Sequence, residues 1–178
     1  MAYDYDLLGS YWSAKAEAAA LGAGLAEWVD DYLSSYPDTD LRLLGHSLGV
    51  QVVVHCLDQM TETVAAAGSL VGGVATTAVT EGGEWYDAIA DHCEQFNNYY
   101  DRNDLVSPGW ALVEFAEPLA RNPAEGAEPD NYEDHDVTYE VDNHLSAFEA
   151  CDGCMDVVAE QWGYDVGDED GCSSGWWS

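Results

Sequence analysis

The sequence predicts an α/β domain with a mostly parallel sheet of about four strands and helices on both faces. Three observations carry that expectation. Helix-period segments and short buried apolar runs alternate along the chain, and strands separated by helices pair in parallel through right-handed crossovers. A glycine-flanked serine, in Gly45-His46-Ser47-Leu48-Gly49, stands where the first such run passes into a helix. The 178 residues, 47% of them hydrophobic, are enough for one ordinary core. That single domain is expected to span 1–162, leaving 163–178 as an acidic tail containing Gly, Ser and Trp.

Each element has its own signal. Between Tyr11 and Leu33 apolar residues recur at helical spacing, placing Trp12, Ala16, Ala19, Leu25, Trp28, Val29 and Tyr32 on one face, with Ser10 as a cap and Pro37 beyond the end. Leu41 to Leu44 reads as a buried parallel strand leading straight into Gly45. Val50 to Met60 reads as an apolar helix, and Ser69 to Ala75 as a second buried strand. Trp85 to His92 is predicted helical. Phe96 to Tyr100 is predicted as a third strand, closed by the turn formers Asp101-Arg102-Asn103-Asp104. Helix is predicted again over Trp110 to Ala120, loop over Asn122 to Asp136, a final strand over Val137 to Val141, and a closing helix from Leu145 to Trp162. In such a sheet ligands sit at the C-terminal ends of the strands.

Charge narrows the partners. Thirty-five Asp and Glu stand against Lys15, Arg42, Arg102 and Arg121, a formal net of −31. Unscreened, that charge opposes compaction; at molar salt the Debye length falls to about 3 Å and the same acids simply hold water at the surface. The composition therefore points to a salt-rich cytoplasm. Four scattered cations cannot grip a phosphate backbone, so nucleic acid is not an expected partner. The start, Met1-Ala2-Tyr3-Asp4, lacks the basic region of an export signal, and no apolar run approaches the roughly 20 residues of a membrane span. Five cysteines, Cys56, Cys93, Cys151, Cys154 and Cys172, fit reduced thiols better than a disulfide framework. Cys151 and Cys154 form a lone CxxC; Cys172 with His144 is the only nearby candidate for two further ligands, and since structural zinc normally uses two closely spaced pairs, no metal is expected.

The chemistry-bearing signal is the pentapeptide. A serine hydroxyl is a poor nucleophile unless a rigid turn presents it to a base, and Gly-x-Ser-x-Gly builds such a turn between strand and helix. An acid and a histidine should then follow after later strands. Asp104 stands beyond the third strand and His144 beyond the fourth, so His144 is the candidate base and Asp104 the group that orients it. Asp101 is the rival acid, nearer the strand but shallower in the turn. Leu48 would supply an oxyanion-binding N–H, and His46, beside the serine, is expected to line the pocket. Competing readings are an N-cap for Ser47 and a capping or surface residue for His144. His55, His92 and Cys56 fall within predicted helices and read as packing or surface residues, and His135 reads as an exposed loop residue.

Four stretches carry a resemblance: Leu43-Leu44-Gly45-His46-Ser47-Leu48-Gly49, Asn98-Tyr99-Tyr100-Asp101-Arg102-Asn103-Asp104, Pro129-Asp130-Asn131-Tyr132 and Asn143-His144-Leu145. Together they resemble the α/β-hydrolase superfamily, and within it a branch found in halophilic archaea. The resemblance implies a Ser47-Asp104-His144 triad that hydrolyses an ester-like or related acyl bond, and it names no substrate. The function expected of the chain is that of a cytoplasmic serine hydrolase acting through an acyl-enzyme on a small ester or lipid-like substrate, without a cofactor. The resemblance also implies a truncated α/β-hydrolase, the C-terminal half of the usual fold, because residues 1 to 40 hold only the helix leading into the nucleophile strand. On that expectation the strand bearing the serine has an open edge, to be covered by a partner or a second copy. The alternative is a binding or assembly module whose oxyanion hole is incomplete.

Overall fold

The computed structural model describes residues 4–149 and 153–165. Its four strands are β1 (Arg42–His46), β2 (Ala66–Leu70), β3 (Phe96–Tyr100) and β4 (Tyr132–Asp136), and its helices are α1 (Asp4–Ser35), α2 (Gly49–Gln59), α3 (Tyr86–His92), α4 (Ser107–Glu114) and α5 (Met155–Gln161). The strands pair in the order β1-β2-β3-β4, all parallel, as the alternating pattern predicts. Residues alternate between the two faces of a strand, so each face gathers its own core. One core joins Val29, Val54, Leu57, Ile89 and Phe96 beneath α1, α2 and α3; the other joins Leu70, Tyr99, Ala147 and Val158 beneath α5. Helices thus cover both faces. No helix among the described residues is long and apolar enough to cross a membrane.

Helix α1 is longer than expected and rotated. Ser10 lies inside it, and Trp12 and Trp28 face outward, while Ala18, Gly22, Ala26, Val29 and Leu33 form the buried stripe. The stripe is narrow because α1 lies tight against α2: a Cβ on Gly22 would stand 2.5 Å from His55 Cβ and 2.8 Å from the Val52 carbonyl. Small residues set that approach, and the aromatics are left to flank it.

Four other boundaries move, each for a physical reason. The second strand is Ala66–Leu70 rather than Ser69–Ala75, because Val71 turns left-handed (φ 42) and ends the pairing. The Val-Gly-Gly run is therefore the loop at the strand's C-terminal end. The last strand is Tyr132–Asp136, inside the predicted loop, and Val137–Val141 is a turn. Tyr-Glu-Asp-His-Asp carries little apolar signal because β4 is a sheet edge, where acids discourage further pairing. The predicted helix over 110–120 is α4 instead, stopped by Phe115 in the left-handed region (φ 54). The long closing helix reduces to α5: the chain turns back at 146–149, and the Cys154 N–H reaches the Ala147 carbonyl at 3.0 Å. Part of the expected helix, including Cys151, lies outside the described residues, as does the tail beyond 165.

Within the described residues β1 pairs only with β2, so its other edge presents free backbone groups. Unscreened acids and an open edge both weaken the compact state. Raising potassium chloride from about 0.05 M to about 3 M shortens the Debye length several-fold. The thermal midpoint followed by circular dichroism is expected to rise across that range, and a flat or falling midpoint would refute the high-salt reading.

Candidate active site

Only Ser47 and Leu48 join β1 to α2. Ser47 sits in the left-handed region (φ 54), which costs a residue with a side chain on the order of 1–3 kcal/mol. The strain is held by backbone bonds. The Ser47 N–H donates to the Leu70 carbonyl (3.0 Å), and its own carbonyl accepts from Val50 (3.2 Å) and Gly73 (3.0 Å). Gly45 is required by the turn, since a Cβ there would lie 2.6 Å from Val50 Cα. Gly49 is not: a Cβ would meet nothing within 4 Å.

His144 lies in the segment after β4. Asn143 fixes the turn around it, its side-chain oxygen accepting from the N–H groups of Leu145 (3.0 Å) and Ser146 (3.3 Å). The imidazole is 8% exposed and bridges two groups far apart in sequence. Its Nε2 is 2.8 Å from Ser47 Oγ and its Nδ1 is 2.9 Å from Asp104 Oδ1. Ionised carboxylates only accept, so Nδ1 carries the proton and Nε2 is free to take the serine's.

The turn after β3 separates the two acids. Asp101 shapes it: its carboxylate accepts from the Asn103 N–H (2.8 Å) and its carbonyl accepts from the Asp104 N–H (3.0 Å). Burial pushes the Asp101 carboxyl up. Asp104 reaches His144, and its second oxygen accepts the Ser107 N–H at 2.7 Å, at the start of α4. Burial alone would raise the Asp104 carboxyl, but hydrogen bonds from His144 and Ser107 outweigh it and hold it at about 2, below the ordinary 3.8. The structure thus brings together Ser47, His144 and Asp104, and leaves Asp101 outside.

His46 does not line the pocket as expected. Its ring packs against His144 (centroids 5.0 Å apart) and against Phe148, and its Nε2–H donates to the His144 carbonyl at 2.7 Å. Burial holds its imidazole below the ordinary pKa, although the hydrogen bond to the His144 carbonyl works the other way. His46 therefore ties the histidine segment to the strand that carries the serine. His55 packs edge-on to Trp85, and His92 bonds the Glu62 carbonyl. His135 is not an exposed loop residue: it lies in β4, stacked on Tyr99 and bonded to Asn97.

A cavity of about 300 Å³ opens beside Ser47 and His144. Leu48 lines it as expected, and no acceptor takes the Leu48 N–H among the described residues. Tyr11, Val71, Gly72, Trp110 and Val113 line it unforeseen. The Val-Gly-Gly signal for two of them was hidden by reading that run as strand. Among the described residues no cluster of His, Cys, Asp and Glu could hold a metal. Cys56, Cys93 and Cys154 are buried free thiols, pushed up by burial to about 11, 12 and 12.

Compared with known protein families, with curated proteins and with solved structures, the chain matches none.

Proposed function

We propose that this chain is a serine hydrolase of the α/β-hydrolase type, cleaving an ester-like acyl bond through an acyl-enzyme on Ser47, without a cofactor, in a salt-rich cytoplasm. One observation carries the reading: the unbroken relay from Ser47 Oγ through His144 to Asp104, at 2.8 Å and 2.9 Å. In the first step Ser47 Oγ attacks the acyl carbon while its proton passes to His144 Nε2, and Asp104 stabilises the imidazolium. That proton then goes to the leaving alkoxide, which departs as the alcohol. Water, deprotonated by His144, attacks the ester on Ser47 and releases the acid, returning the proton to the serine. The Leu48 N–H is the group available for the oxyanion, and one such donor is worth about 10²–10³ in turnover.

That a single oxyanion donor is assigned also favours a second reading, an acyl-binding or assembly module with impaired turnover. A fluorophosphonate reporter on the folded full chain in high salt tests the first and separates the two. The expected result is a covalent adduct located on Ser47 by peptide mass spectrometry, together with ester turnover. An adduct without turnover supports the second reading. Failure to label a folded sample refutes the hydrolase assignment.

A further inference from the structure

On the hydrolase reading just given, we infer that the acyl group this site accepts is short and uncharged, and that Trp110 sets its length. The cavity beside Ser47 holds about 300 Å³. A liquid water occupies roughly 30 Å³, close to the size of a methylene, so the space takes on the order of ten such groups. That covers a butyryl-to-octanoyl chain and leaves the far end of an extended fatty acyl chain in water.

The walls decide the chemistry. Val71, Val106, Trp110, Val113 and Ala120 are apolar, and the hydroxyl of Tyr11 is committed to Glu114 at 2.7 Å. Burial, followed by the adjacent Glu114, pushes the Tyr11 phenol far above its ordinary range, so this wall stays neutral. Among the described residues no Asp, Glu, Lys or Arg lines the cavity, and the Lys15 ammonium is paired with Glu114 at 2.8 Å. A carboxylate on the acyl chain would meet no cation among these residues, only the neutral donors Trp110 Nε1 and Ser107 Oγ, and its desolvation would cost several kcal/mol. The net charge of −31 opposes its approach as well.

Trp110 is the largest side chain of the lining, and it comes from α4, which contributes Ser107, Gly109 and Val113 to the same wall. That helix is fastened at both ends. Asp104 receives the Ser107 N–H, and Glu114 receives Tyr11 and Lys15 of α1. The wall is therefore fixed, and the indole limits depth by size.

The test uses a homologous series of alkyl fluorophosphonates, ethyl to hexadecyl, whose alkyl group takes the acyl position and whose labelling needs no turnover. Labelling rates of the folded full chain are expected to peak between butyl and octyl and to fall about tenfold or more by hexadecyl, with an ω-carboxyalkyl probe about tenfold slower than its neutral match. Trp110→Ala should move the peak to longer chains, and Val113→Phe, which fills the same cavity, should move it to shorter ones. A peak at hexadecyl, a preference for the anionic probe, or a peak that neither folded variant moves would overturn the inference. No labelling by any member of the series would instead remove the hydrolase reading beneath it.

Discussion

Ser47→Ala and His144→Ala are each expected to lower ester kcat/KM by a factor on the order of 10⁶, and the double variant to lose almost nothing more. The serine is a nucleophile only while His144 Nε2, 2.8 Å away, can receive its proton. Once either is gone the other has no partner, so the two losses cannot add. Steady-state rates on a butyrate ester for both single variants and the double variant check this, and additive losses would show that the two residues do not act together. Ser47→Gly should be equally inactive yet raise the thermal midpoint, because glycine relieves the left-handed strain at φ 54.

Asp104→Asn is expected to lower turnover about 10⁴-fold, because an amide N–H facing Nδ1 reverses the imidazole tautomer, while Asp101→Asn should cost far less. The Asp101 carboxylate bonds its own turn, and only Asp104 reaches His144. The same substitution has a pH signature. The carboxyl of Asp104 is held at about 2 against an ordinary 3.8, a difference of about 2 kcal/mol. A depressed folded value stabilises the protein above the unfolded pKa, and that stabilisation disappears as pH falls through the folded one. The stability gap between the parent chain and Asp104→Asn should therefore be full above about pH 4 and close toward pH 2. Denaturant melts of the two proteins across that range measure it, and a pH-independent gap would show that the carboxylate charge is not what His144 and Ser107 stabilise.

What could be read from sequence follows the physics of each element. Phe96–Tyr100 was legible to the residue because it is buried on both faces, and α2 because its apolar face is continuous. Ser47 and His144 were legible from the pentapeptide and from a histidine following the last strand, whereas sequence left Asp104 and Asp101 as rivals that only the folded turn separates. The acidic edge strand β4 was not legible, since an edge needs no apolar alternation. The rotation of α1 was hidden too, because a helix seated on Ala18, Gly22 and Ala26 buries its smallest residues, whereas periodicity weights the largest. The geometry of His46 carries no sequence signal: its bond to the His144 carbonyl joins residues 98 positions apart.

The two oxygens of Asp104 are divided between tasks, one holding the imidazole and the other the first N–H of α4. Specificity and base strength are thereby coupled in inheritance. A change in the first turn of α4 that alters what the cavity admits also withdraws a hydrogen bond from the carboxylate that steadies the proton acceptor. Variation that spares the acid is confined to positions further along the helix, at Trp110 and Val113. A population drifting toward new substrates would record its steps there, and Ser107 would stay still.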